Sequence, residues 1–187
     1  MSPMAREISA GGVVLREISG VWHVALIEAQ KEQQQNASAS SRPSRKRRSG
    51  VLSLPKGLVD AGEKAGAAAI REVWEETGIR AEVIDKLADI KYVYVRTWGD
   101  SERVFKIVSF YLMRYVSGEI DDVLPEMRIE VKRALWVPLA DAPSQMVYSS
   151  ERKLVEQARE HVEANGPSAR TTLSSTKKRS WARHTDR

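Results

Sequence analysis

Two apolar, β-branched runs open the chain. Ile8-Ser-Ala-Gly-Gly-Val-Val-Leu15 and Val21-Trp-His-Val-Ala-Leu-Ile27 flank Ser19-Gly20, which predicts the two strands of a hairpin. Val51-Leu-Ser-Leu54 is a third, short strand, stopped by Pro55. From Lys64 to Thr77 the period changes to 3.6, predicting a helix closed by Gly78 in the left-handed conformation. Ile70, Val73, Trp74 and Thr77 fall on one side of it and Glu72, Glu75 and Glu76 on the other. Strand-like runs follow at 81–85, 87–96 and 104–116, the last too apolar for an exposed edge and therefore expected inside a sheet. Ala134-Leu-Trp-Val-Pro138 is a further strand, and Ser150 is expected to cap a helix with Leu154, Val155, Ala158 and Val162 on one face. Strands interleaved with two main helices predict an α/β sandwich, a mixed sheet between helical layers.

Gln33 to Gly50 breaks this pattern. It holds Gln, Asn, Ser and Ala and then Arg45-Lys-Arg-Arg48, with no face to bury, so a disordered insertion is expected at 31–50. A disordered basic tail is expected at 165–187, leaving a folded domain over 5–164. The formal net charge of +5 hides this division. Residues 31–50 carry six Lys/Arg against Glu32, and residues 167–187 carry six against Asp186. Each segment is +5 alone, and the rest of the chain is −5. The absence of cysteine excludes disulfides, thiolate metal sites and cysteine nucleophiles. His23, His161 and His184 are scattered, and structural or solvated roles are expected for the first two. With no apolar leader and no run long enough to cross a bilayer, the expectation is a soluble, cytoplasmic protein.

The acidic helix carries the chemistry. Glu72, Glu75 and Glu76 stand at i, i+3 and i+4, and like charges so placed destabilise an isolated helix by a few tenths of a kcal/mol per pair, roughly. Taken alone, such a run is a solvated face; the residues around it change that reading. The segment 57–79 reads Gly57-x5-Glu63-x7-Arg71-Glu72-Val73-x-Glu75-Glu76-x-Gly78-Ile79 and resembles the Nudix box at every defined position. A chance match of that length lies well below about one in a million at ordinary residue frequencies.

The resemblance to Nudix hydrolases implies a Nudix-like α/β/α sandwich over roughly 5–164 and hydrolysis of phosphoanhydrides with Mg²⁺ or Mn²⁺. It implies that Glu72, Glu75 and Glu76 bind metal together with the Gly57 carbonyl, and that Glu75 or Glu76 orients or deprotonates the attacking water. Arg71 lies four residues before Glu75 and can hold its rotamer. Glu63 is expected to bond amides in the first turn of the helix. Of the later acids Glu119, Asp121, Asp122, Glu126 and Glu130, the last stands just before a strand and is chosen as the further metal ligand or base. Lys56 and Lys106 are candidates for substrate phosphates. Tyr92, Tyr94 and Trp98 could stack on a base, but alternating aromatics in a strand are expected to be core. Substrates expected from the resemblance are dinucleoside polyphosphates, (d)NTPs or diphosphoinositol phosphates. The alternative is an RNA-binding, decapping-type protein that holds nucleic acid weakly through 42–48 and 170–187.

Overall fold

The computed structural model describes residues 5–30, 52–96 and 102–174, with the side chains of 166–174 excepted. The expected insertion at 31–50, Trp98 and the tail from 175 lie outside the described residues. Strands β1 (Ala5–Ile18) and β2 (Val21–Ala29) form the expected hairpin. Their turn has φ of 51° at Ser19 and 81° at Gly20, the two positive values that match the twist of a tight hairpin.

Among the described residues seven strands make one mixed sheet in the order β3-β2-β1-β6-β5, with β4 on β1 and β7 on β2. These are β3 (Leu52–Ser53), β4 (Lys56–Leu58), β5 (Arg80–Val95), β6 (Arg103–Ser117) and β7 (Val131–Pro138). Among the described strands β1 and β6 are the parallel pair, in register from Ala5 with Val104 to Leu15 with Arg114. β6 is paired on both sides, as its apolar run required. The runs read separately as 81–85 and 87–96 are one strand. Register shifts at Arg80/Ala81, Val83/Asp85 and Lys86/Ala88 break the side-chain alternation that would have joined them.

β1 and β2 stay paired only from Leu15 with Val24 to Ile18 with Val21. Beyond that they part, and residues 52–58 fill the gap. β3 pairs with β2 at Ile27 and Glu28, whereas β4 pairs with β1 at Ser9 to Gly11. The Gly12 amide donates to the Pro55 carbonyl at 3.1 Å between the two pairings. This split opens the sheet beside the acidic helix.

Strand alternation sorts the core into two layers. On one face Ala10, Val14 and Met113 pack against Ala68, Ala69 and Val73 of helix α1 (Ala65–Thr77). On the other face Val13, Leu15, Phe110 and Leu112 pack with Leu154, Val155, Ala158 and Val162 of the last helix, and a short helix α2 (Ala142–Gln145) contributes Ala142. The result is the expected α/β/α sandwich. That last helix, α3 (Ser149–Ser174), begins one residue before the expected cap, with Tyr148 O accepting from Arg152 N at 3.0 Å. It also runs ten residues beyond the boundary drawn at 164.

α1 begins and ends as its sequence predicts. Gly78 has φ 79° and donates its amide to Trp74 O at 2.8 Å. On its core face Val73 and Thr77 are buried as expected and Trp74 is half-buried, but Ile70 is exposed, and Ala68 and Ala69 are buried in its place. Glu72 and Glu76 are buried too, at 7 and 6 % exposure, so the acidic face turns into the fold rather than out to solvent.

Candidate active site

A cavity of roughly 650 Å³ opens at the split between β1 and β2. α1 brings Glu72, Glu75 and Glu76 to its wall, β4 brings Lys56 and Gly57, and β6 brings Lys106. Glu130 closes the group; it caps a short 3₁₀ turn, Pro125–Ile129, whose position is fixed by Gln30 N donating to Glu130 O at 2.9 Å and Gln30 Nε2 to Arg128 O at 3.0 Å. The structure thus brings together all eight candidate residues except Arg71, which stands behind the cluster and touches it.

Arg71 spends its donors on this region. Nη1 bonds Glu72 Oε1 at 2.7 Å and Glu75 Oε2 at 2.9 Å; Nη2 bonds Glu63 Oε2 and Leu58 O, each at 2.9 Å; and Nε bonds Glu63 Oε1 at 3.1 Å. A planar fork suits this role, and a lysine could not replace it. The expected pairing of Arg71 with Glu75 is therefore present, within a wider network. Glu63 differs in detail from expectation: it accepts from the Asp60 amide at 3.1 Å, in the loop before α1, rather than from the first turn.

Electrostatics sets the acids apart. Burial pushes the Glu76 carboxyl up to about 8; Lys56 opposes this, while Glu72 and Glu130 add to it. Burial also raises Glu72, against the pull of Arg71, with Glu75 and Glu130 adding to the rise. Glu130 therefore belongs to the electrostatic neighbourhood of the helix acids. For Lys56, burial pulls the ammonium down, but Glu151 and Glu76 outweigh it and push it up to about 12. Burial lowers Lys106, and its partner Glu7 at 3.6 Å partly restores it.

The residues suit a hard divalent cation in chemistry. Glu72, Glu75, Glu76 and Glu130 offer oxygen donors only, and burial, with a smaller contribution from their crowding, raises two of them. A Cβ on Gly57 would collide with the Glu72 carboxylate, so glycine is what lets that carboxylate lie against the backbone. Among the described residues no three acids converge closely enough to enclose an ion as they stand. Arg71 occupies Glu72 and Glu75, and Lys56 N donates to Glu76 Oε2 at 2.7 Å.

Several residues here were not found from the sequence. Ser9 is buried and lines the cavity, and its hydroxyl has no hydrogen-bond partner among the described residues. Glu151 of α3 is 4 % exposed and accepts from Leu54 N at 2.8 Å. Tyr148 faces Lys56 with its ring centroid 5.9 Å from Nζ. The aromatics of β5 correct an expectation: Tyr92 is exposed and lines the cavity, and Tyr94 donates its hydroxyl to Glu7 Oε1 at 2.8 Å, so neither is a core residue.

Comparison with known proteins matches the NUDIX domain model to residues 20–158. A Mycobacterium tuberculosis protein named for the mutator MutT4 is 40 % identical over 189 residues, covering 96 % of this chain and 69 % of its own. An RNA pyrophosphohydrolase of Roseobacter denitrificans is 31 % identical over 103 residues, covering 50 % of this chain and 64 % of its own. A Caenorhabditis elegans Ap4A hydrolase complex superposes with a TM-score of 0.58 at 22 % identity, over 84 % of this chain and 98 % of that one. At that identity the likeness speaks for the fold alone. No helix among the described residues is long and apolar enough to cross a membrane.

Proposed function

The chain belongs to the Nudix hydrolase family, enzymes acting on phosphorus-containing acid anhydrides, and from this premise we propose that it cleaves a nucleoside polyphosphate-type substrate with Mg²⁺ or Mn²⁺. Dinucleoside polyphosphates and (d)NTPs are the first candidates, and diphosphoinositol phosphates the next. One observation carries this reading: carboxylates of α1 and Glu130 share a single cavity with Lys56 and Lys106. An acid wall that can hold cations beside a basic wall that can hold phosphate oxygens is what anhydride cleavage requires.

Glu72, Glu75, Glu76, Glu130 and the Gly57 carbonyl would hold the metal. When bound, the cation would neutralise phosphate charge and acidify a water. The chain's own residues do the rest. Lys56 and Lys106 hold phosphate oxygens, and Arg71 keeps Glu72 and Glu75 in place. Glu76 is one candidate to take a proton from that water. Glu75 is the other candidate for that step.

A second reading has RNA as substrate, favoured by the pyrophosphohydrolase relatives and by the basic segments 42–48 and 170–187. One screen separates the two. Phosphate or pyrophosphate release is followed with Mg²⁺ and Mn²⁺ from dinucleoside polyphosphates, (d)NTPs, diphosphoinositol phosphates and 5′-triphosphorylated RNA. Chelator-sensitive release from a small molecule supports the first reading. Release from RNA alone replaces it with the second, and release from none removes both.

A further inference from the structure

Lys56 is held from two helices at once. Its backbone amide donates to Glu76 Oε2 of α1 at 2.7 Å, and its ammonium lies 3.2 Å from Glu151 Oε1 of α3. The same ammonium donates to Leu54 O at 3.2 Å, and the other Glu151 oxygen accepts from Leu54 N at 2.8 Å. One buried carboxylate thus fixes both the backbone of residue 54 and the side chain of residue 56. An ammonium has three donors, and these two partners take two of them. The third remains on a side chain that lines the cavity.

We propose that Glu151 is a positioning residue for substrate phosphate: it anchors the Lys56 ammonium at the cavity, with one donor left to meet a phosphate oxygen. The inference rests on the phosphoanhydride reading above and adds a residue from a different helix to it. Glu76 is the next anion acting on Lys56. Without Glu151, the ammonium is free to swing toward Glu76, where it both leaves the phosphate position and competes for an acid of α1. α3 then has a role beyond packing, because its first turn carries the anchor.

The test uses the full chain and two readouts. Isothermal titration with inorganic pyrophosphate, without metal, measures the phosphate position itself; KM and kcat on diadenosine tetraphosphate with Mg²⁺ measure turnover. The variants are Lys56→Ala, Glu151→Ala, their double, and Glu151→Gln. Gln keeps an acceptor for Leu54 N but removes the anion facing Lys56, so folding and anchoring separate. Glu151→Gln is expected to weaken pyrophosphate about tenfold and raise KM similarly with kcat changed far less, while melting near wild type. The double variant should bind no more weakly than Lys56→Ala, because Glu151 acts through that lysine. Wild-type pyrophosphate affinity in Glu151→Gln, multiplying losses in the double variant, or no pyrophosphate binding by the wild type would each overturn the proposal. Pyrophosphate binding that depends on Glu151, in a protein that cleaves no anhydride, would instead sink the hydrolase reading and leave the anchor standing. Turnover that ignores Glu151 would do the reverse.

Discussion

At Gly57 a single hydrogen atom in place of a methyl group decides where the Glu72 carboxylate lies. Gly57→Ala must push the Glu72 carboxylate off the backbone, and overpacking of this kind costs about 1–3 kcal/mol. The variant is expected to melt earlier and, on the proposed metal-binding role of Glu72, to lose at least about tenfold in kcat/KM. A folded variant with normal turnover would show that Glu72 need not sit there. Glu28 offers a test of pH dependence away from the cavity. It is buried, and its oxygens bond Lys132 Nζ at 2.7 Å and Arg133 Nε at 2.6 Å. The hydrogen bond from Lys132 leads in holding the Glu28 carboxyl below its ordinary value; burial opposes it, and Arg133 assists. The folded state therefore binds this proton less tightly than the unfolded chain. The stabilisation is complete above the ordinary carboxylate range and is lost as pH falls through the depressed value. Glu28→Gln is expected to cost about 1–3 kcal/mol at pH 7, with the melting curves of variant and wild type converging in acid. A gap that stays constant down to pH 3 would remove the charge from the explanation.

The helix α1 is the element on which sequence and structure agree most closely. Its limits, its cap and its acidic spacing are all local, so they were legible in twenty-three consecutive residues, 57–79. Gly78 shows how strongly the cap is fixed. Its φ is 79°, and an added Cβ would lie 2.6 Å from Asp122 O. Gly78→Ala should cost at least about 1–2 kcal/mol in stability. Thermal melts would report that cost, and turnover at a temperature where the variant stays folded should change little. Other parts of the site were hidden for a physical reason. Ser9 comes to the cavity from β1 and Tyr148 and Glu151 from around the start of α3, far apart in sequence, so only the fold brings them together. An acid in the first turn of a helix reads from sequence as a partner of the helix dipole. Ile70 was misplaced because periodicity gives the angle between side chains but not the neighbour that covers them. The tyrosines of β5 were misplaced because alternation names two faces without saying that one lines a cavity.

On the scale of the whole molecule, the body is acidic and its positive charge is concentrated in two segments. If RNA is held there, the attachment is ionic and sheds counterions, so each phosphate left without its cationic partner should reduce the salt slope by about 0.7–0.9. Replacing Arg45, Lys46, Arg47 and Arg48 by glutamine is expected to weaken RNA binding and flatten its salt dependence while sparing small-molecule turnover. RNA binding that ignores both this change and deletion of 167–187 would leave the acidic body as the only partner for nucleic acid, which its charge disfavours. The central claim concerns the body itself: the carboxylates of α1 hold the cation that anhydride cleavage needs. Its most direct test is Mg²⁺-dependent turnover of the best small-molecule substrate by wild type and Glu75→Gln. The account predicts wild-type activity abolished by chelator and a loss of at least about a hundredfold in kcat for the variant, the scale expected when a charge-stabilising group is removed. Wild-type kcat in Glu75→Gln, at any Mg²⁺ concentration, would contradict it.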